Sequence, residues 1–162
     1  MRRVVITGMG IVSSIGNNTQ EVLASLREAR SGIIHAPRYA DLGFRSQVHG
    51  EPSLDASEVV DRRAMRFHAQ GTAWNHVAMD QAILDAGLEE HDISNERTGI
   101  IMGSGGPSAR TLVESADIAR EKGPKRVGPF AVPKSMSSTA SATLATWFKI
   151  CLLYTSDAAD DL

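Results

Sequence analysis

Arg2-Arg3-Val4-Val5-Ile6-Thr7-Gly8-Met9-Gly10-Ile11-Val12-Ser13-Ser14-Ile15-Gly16 opens the chain and decides how the rest of it is read. A β-branched run ending at a Thr-Gly turn reads as a buried central strand. The glycines after it read as a loop packed tightly beneath another element. Gly8-Met9-Gly10 also invites a dinucleotide reading, which fails twice. A Rossmann fingerprint needs a third glycine where Ser13 stands, and Gly16 comes too late. The next helix carries Glu21 in its first turn, where it would oppose a pyrophosphate. These glycines are therefore expected to be structural.

Working outward, Asn18 followed by Glu21 is a capping-box-like start for a helix over 19–29. Val22, Leu23 and Leu26 form its inner stripe, Arg27 and Arg30 suit its negative end, and Gly32 is expected to stop it. Pro37, Gly43, Gly50 and Pro52 punctuate 33–60, which reads as a surface excursion with one brief strand near 46–49. One long helix is expected over 61–86, stopped by Gly87. Its second half is apolar on more than one face and should lie buried between layers. The run 98–102 reads as a second central strand, followed by Gly103-Ser104-Gly105-Gly106 and a helix over 108–121. Gly123-Pro124 breaks that helix, 128–133 reads as a loop, and 136–148 as a helix of small residues. This alternation predicts an α/β fold with a mostly parallel sheet covered by helices. Residues 151–162 turn small and acidic, with no expected element to join.

With 162 residues, Lys+Arg 17 against Asp+Glu 19 and a net charge of −2, one core is expected. There is no global field to attract nucleic acid or an anionic membrane. No N-terminal signal pattern and no run near the ~20 apolar residues of a membrane span is present, so a soluble, cytoplasmic protein is expected. Cys151 is the only cysteine, and the five histidines (His35, His49, His68, His76, His91) show no metal-ligand spacing. Neither a metal nor a cofactor is expected.

Arg62, Arg63 and Arg66 sit at the start of the expected long helix, where the macrodipole disfavours each cation by roughly 0.3–1 kcal/mol. They read either as an anion-recognition patch for an acidic protein, joined by Lys122, Lys125 and Arg126 if the fold brings that loop close, or as solvated charges paired with Asp61 and Glu58. Gly103-Ser104-Gly105-Gly106 lacks the Gly-Lys-Ser/Thr end of a P-loop. It reads better as a tight turn that lets another backbone or an acyl chain approach. Cys151 has neither a helix N-terminus nor a spaced histidine to make it a nucleophile.

Several stretches together resemble the β-ketoacyl-acyl carrier protein synthases, the condensing enzymes of fatty acid elongation. They are residues 3–18, Ser25-Leu26-Arg27-Glu28, Ser31-Gly32-Ile33, Asp61-Arg62-Arg63 to Phe67, Gln81 to Leu88, Gly103 to Gly106, and Pro133-Lys134-Ser135-Met136 through to Phe148-Lys149-Ile150. The bacterial type I synthase is the nearer match, the type II synthase and polyketide ketosynthases less near. The resemblance implies a thiolase-like layered fold of which this is an incomplete first half, a homodimer in the complete enzyme, and acyl carrier protein as partner. It implies decarboxylative condensation of acyl groups with malonyl-acyl carrier protein, using a cysteine and two histidines. None of the three matches a residue of this chain, so the chain is expected to be inactive by itself. It is expected to persist either as a residual carrier-protein-binding module or as an unstable fragment.

By the same resemblance, Arg62, Arg63, Arg66, Lys125 and Arg126 match the basic surface that meets acyl carrier protein. Arg63 stands where the type I enzyme is expected to have lysine. Gly105, Gly106 and Met136 resemble positions lining the acyl tunnel near the dimer interface. Residues 1–150 are expected to belong to the N-terminal domain of such a synthase. Residues 151–162 are expected to be a non-family, artefactual tail of a truncated or chimeric reading frame, so Cys151 inherits no role.

Overall fold

The computed structural model describes residues 3–150 and the strand at 152–154. Arg2, Cys151 and the chain beyond 154, on which some sequence expectations fall, lie outside the described residues. The chain divides into two compact units, Met1–Asp55 with Val77–Gly87, and Ala56–His76 with Leu88–Leu162.

The first unit begins with an irregular segment. Val4 is 94% and Ile6 85% exposed, and the backbone pairing of residues 3–18 consists of the bridge Ser13↔Gly16. This corrects the expected buried central strand. A strand needs a neighbour to complete its ladder, and among the described residues none pairs with Val4–Ile6. The tight glycine loop is present, and what it packs beneath is the C-terminal half of a long helix. A methyl on Gly8 would fall 2.6 Å from the Ala86 nitrogen, and one on Gly10 would fall 2.9 Å from the Ala82 nitrogen. Met9 N–H donates to Asp85 Oδ2 (2.9 Å), Ile11 N–H to Gln81 Oε1 (3.1 Å), and Gln81 Nε2 to the Asn17 carbonyl (2.7 Å). Gln81 and Asp85 stand four residues apart, one helical turn, and so present both acceptors along the loop.

Helix α1 (Thr19–Arg27) starts as expected: Asn18 Oδ1 accepts from Glu21 N–H (2.9 Å). The Glu21 carboxylate reaches back one residue further, to Asn17 N–H (2.8 Å). Its end differs from expectation. Ala29 adopts φ 51° and Arg30 N–H donates to the Ser25 carbonyl (2.8 Å), a Schellman closure made without glycine. Gly32 instead lies against Ser14, whose carbonyl carbon would be 2.6 Å from an added methyl. In 33–60 the structure has a hairpin where one strand was expected. β1 (Ile33–His35) pairs antiparallel with β2 (Val48–Gly50), Ile34 opposite His49, around the short helix α2 (Pro37–Asp41). Tyr39 packs its ring on Phe44 and His49 at 5.5 and 5.4 Å, which holds the hairpin and the helix together.

The expected single helix over 61–86 is two: α3 (Arg62–Met65), which lies in the second unit, and α4 (Gln70–Ala86), whose residues from Val77 on belong to the first. The physical reason lies in the break. In a continuous helix His68 and His76, eight residues apart, would be separated by about 12 Å along the axis. Breaking the helix lets their rings meet, Nε2 to Nδ1, at 3.0 Å. Phe67 is freed to pack edge-on against Phe130 at 5.1 Å. The burial expected of the apolar residues from Ala73 to Ala86 is found only in part: Ala73 is buried, and Trp74, Val77, Ala78, Met79, Ala82, Ile83 and Ala86 are half-buried. Thr72, Ala73 and His76 are its buried residues, whereas Leu84 is 82% exposed. The glycine loop covers one face of that half and leaves Leu84 in solvent.

After the one-turn helix α5 (Glu90–Ile93), β3 (Gly99–Ile101) leads to α6 (Ala109–Lys122), capped by Ser108, whose Oγ accepts from Thr111 N–H (3.3 Å). Pro124–Arg126 forms a single 3₁₀ turn. The expected loop at 128–133 carries the short helix α7 (Ala131–Ser135), and the last helix is α8 (Thr139–Trp147). Lys149, at φ 55°, closes α8 as Ile150 N–H donates to the Ala145 carbonyl (2.9 Å). The chain then enters β4 (Leu152–Tyr154), parallel to β3 with Ile100 opposite Leu153. The absence of any element expected beyond residue 150 is thereby corrected. Backbone pairing depends little on side-chain character, and β3 offers the needed donors and acceptors. Leu144, fully buried, centres the core with Ala140, Ala145, Ile100, Ala73 and Ile150. Among the described residues β3–β4 is the parallel pairing and β1–β2 the antiparallel one, so the extended parallel sheet expected from the alternation is not seen. No helix is long and apolar enough to cross a membrane among the described residues.

Candidate functional site

The chemistry of the second unit gathers around the break between α3 and α4. Asp61 caps α3 by accepting from Arg63 N–H at 2.6 Å. Arg62, Arg63 and Arg66 are exposed and have no ion pair among the described residues. The alternative that Asp61 and Glu58 neutralise them is not realised. The macrodipole conflict expected from a long helix is also smaller than the sequence implies, because α3 is a single turn of four residues. Lys125 and Arg126 project from the 3₁₀ turn, likewise exposed. The Phe67–Phe130 contact ties the segment after that turn to the segment after Arg66, which joins the two basic stretches in one unit.

The glycines after β3 behave as a turn. Ser104 Oγ donates to the Gly106 carbonyl (2.8 Å), and Gly106 has φ 154°. Among the described residues no backbone approaches them: a methyl at Gly103, Gly105 or Gly106 would meet nothing within 4 Å. Gly106 and Met136 line one cavity of about 220 Å³ together with Thr72, Asn75, Ser104 and Lys134. Gly105 adjoins it in sequence and is not among its lining residues. The structure thus unites two of the three residues expected at an acyl tunnel.

The His68–His76 pair is the feature that sequence reasoning missed. Both rings are buried, 3% and 2% exposed, and His76 stacks against Trp147 (5.5 Å) and Phe148 (5.2 Å). Burial, with the like charges of His76 and Lys134, lowers the His68 pKa to about 4, so the ring is neutral near pH 7. His68 Nδ1 is buried with no hydrogen-bond partner among the described residues, which costs roughly 1–3 kcal/mol for such a group. The only sequence signal was two histidines eight apart, which carries nothing on a helix assumed continuous. His68 also lines a second cavity of about 380 Å³, walled by Phe67, Trp147, Ala64 and Ala142 and flanked by Arg63 and Lys149. The Lys149 ammonium bonds the Glu90 carboxylate and holds it below its ordinary pKa. No group of three or more metal-ligating side chains occurs among the described residues.

The chain is 53% identical over 152 residues to 3-oxoacyl-[acyl-carrier-protein] synthase 1 of Escherichia coli (strain K12), covering 93% of this chain and 37% of that one. Its fold matches the solved ishigamide ketosynthase/chain length factor with a TM-score of 0.83 at 24% identity, over 96% of this chain and 39% of the other. It also matches the ketosynthase of a structure described as "AntDE:AntF (apo): type II PKS acyl-carrier protein in complex with its ketosynthase bound to the hexaketide", with a TM-score of 0.71 at 16% identity, over 94% and 40%. The fold is therefore that of the thiolase-like ketosynthases, and the chain spans a little over a third of the length of these relatives. Residues 1–151 match the family model described as "Beta-ketoacyl synthase, N-terminal domain", and the chain belongs to that family.

Proposed function

We propose that this chain, through residues 1–150, is the N-terminal portion of a 3-oxoacyl-[acyl-carrier-protein] synthase that elongates fatty acids, and that its own share of the work is to receive acyl carrier protein. The observation that carries the reading is the family match across residues 1–151 together with 53% identity to a synthase of that name. In the proposed reaction an acyl group passes from carrier thioester to a cysteine thiolate. Malonyl-acyl carrier protein then loses carbon dioxide, and the resulting carbanion attacks the acyl thioester, expelling the cysteine. No residue of this chain matches that cysteine or its histidines, so residues outside 1–150 supply them.

Arg62, Arg63, Arg66, Lys125 and Arg126 would attract an acidic carrier protein, and that none of them makes an ion pair among the described residues supports that role. Gly105, Gly106 and Met136 would border the path of the acyl chain, a reading supported by the cavity that Gly106 and Met136 share. In the whole enzyme Val4–Ile6 would join β3 in a mostly parallel sheet. Such an enzyme would work as a cytoplasmic homodimer without cofactor. That a solved ketosynthase of this fold is in complex with an acyl carrier protein supports the choice of partner.

The test is a titration of the purified chain with acyl carrier protein at low salt. Arg62→Ala/Arg66→Ala should weaken binding roughly tenfold, as expected for two rim charges, and ~0.3 M salt should weaken the wild type similarly. Equal binding by the double variant, or no binding by a folded wild type, sinks the carrier-protein reading. With an acyl primer and malonyl-acyl carrier protein, the chain alone should yield no 3-oxoacyl product. Formation of that product would place the chemistry inside this chain.

A further inference from the structure

Two helices begin at the cavity of about 220 Å³ that Gly106 and Met136 line. Gly71 and Thr72, in the first turn of α4, and Pro107 and Ser108, just before α6, also form its walls. The N–H groups of a first turn have no intrahelical partner and carry the positive end of the macrodipole. Neither helix has an acidic residue in its first turn to offset that charge. Lys134 lines the same cavity and adds a full positive charge. Its side chain is half-buried and makes no ion pair or hydrogen bond among the described residues, and among those residues no carboxylate lines the cavity. Thr72 is 9% exposed, and its hydroxyl makes no hydrogen bond among the described residues. Among the described residues the unpartnered side-chain atoms sealed from solvent are Asn17 Oδ1 and His68 Nδ1, so the Thr72 oxygen keeps accessible surface. Asn75, one turn further along α4, shares the cavity wall, and its amide is likewise without a hydrogen bond among the described residues.

A partly desolvated ammonium without a counter-ion is unfavourable until an anion meets it, and here two helix starts and two unpaired side-chain donors surround the same space. We propose that this cavity binds a phosphate group, either free or at the end of a small monoester. Lys134 pairs with its charge, the Thr72 hydroxyl and the Asn75 amide donate to its oxygens, and the starts of α4 and α6 supply further N–H donors. Donors drawn from three elements suit a tetrahedral anion better than a carboxylate, whose two oxygens lie in one plane. The volume is below the roughly 300 Å³ at which pockets take drug-sized ligands, which limits the organic part of a monoester to a few atoms. The proposal uses the polar groups of the cavity and does not rest on the acyl-path reading of Gly106 and Met136.

The test is a titration of the purified full chain, in phosphate-free buffer at constant ionic strength and without carrier protein, with inorganic phosphate, glycerol 3-phosphate and acetate in separate arms. Phosphate should saturate one site per chain and shift the backbone amide signals of Gly71 and Thr72. Tighter binding of glycerol 3-phosphate would support a monoester as the source, and its exclusion would support free phosphate. Acetate should bind at least about tenfold more weakly, and Lys134→Gln should weaken phosphate by at least about tenfold, as expected for a lost hydrogen bond between charged groups. Thr72→Val, which keeps the shape and removes the hydroxyl, should weaken it roughly threefold. Arg120→Gln, toward the other end of α6, should leave the affinity as it is. No saturable binding by a wild type that unfolds cooperatively, equal affinity for acetate, equal weakening by Arg120→Gln, or undiminished binding by a folded Lys134→Gln or Thr72→Val would overturn the proposal.

Discussion

Gly10→Ala should lower the stability of this chain by at least about 3 kcal/mol, at or beyond the upper end of the range for overpacking. The added methyl would lie 2.7 Å from the Ala78 carbonyl carbon and 2.9 Å from the Ala82 nitrogen. Both are backbone atoms of α4 and cannot rotate aside as a side chain would. Relief requires lifting the loop from the helix, and that separates Met9 N–H from Asp85 and Ile11 N–H from Gln81. Urea unfolding measures the loss. Gly103→Ala is the matched control, because nothing lies within 4 Å of its new methyl, and it should stay within about 0.5 kcal/mol of wild type. An unchanged midpoint for Gly10→Ala would mean that the loop does not rest on α4.

The second large effect is a dependence on pH. His68 titrates at about 4 in the folded chain against 6.5 for an ordinary histidine. Between those values the unfolded chain binds a proton that the folded chain refuses, so acid favours unfolding. The stability that neutral His68 allows is complete above pH 6.5 and falls as the pH drops through the window to about 4. A full shift of that size corresponds to about 3 kcal/mol. Unfolding midpoints measured from pH 7.5 to 4.5 should therefore decline steeply. His68→Gln, which keeps a hydrogen-bonding group and cannot protonate, should flatten that decline. The same slope in His68→Gln would assign the dependence to other groups.

The parts of the fold that could be read from the chain are those closed by neighbours in sequence. Asn18 caps α1 through Glu21, three residues on, and Ser108 caps α6 through Thr111, again three residues on. Gly8 and Gly10 announced a close approach, although not to which surface. The single helix expected over 61–86 failed because residues 66–69 obey contacts that no periodicity encodes: Phe67 with Phe130, and His68 with His76. The basic residues of the candidate site were legible as charges, but their lack of ion pairs among the described residues was not. The cavity beside them was invisible, since its walls come from α3 and α8, far apart in sequence.

The sequence by itself determined the family, the capped starts of α1 and α6 and the close approach at Gly8 and Gly10. Each of these rests on a motif or on hydrogen bonds spanning about one helical turn. The tertiary structure alone decided that the opening loop lies on α4, through bonds joining residues 76 and 70 positions apart. It also decided that β3 pairs with β4, and that Val4–Ile6 has no ladder among the described residues. Such outcomes depend on which distant backbone or ring comes within reach, whereas propensity acts only over neighbours and cannot specify that choice.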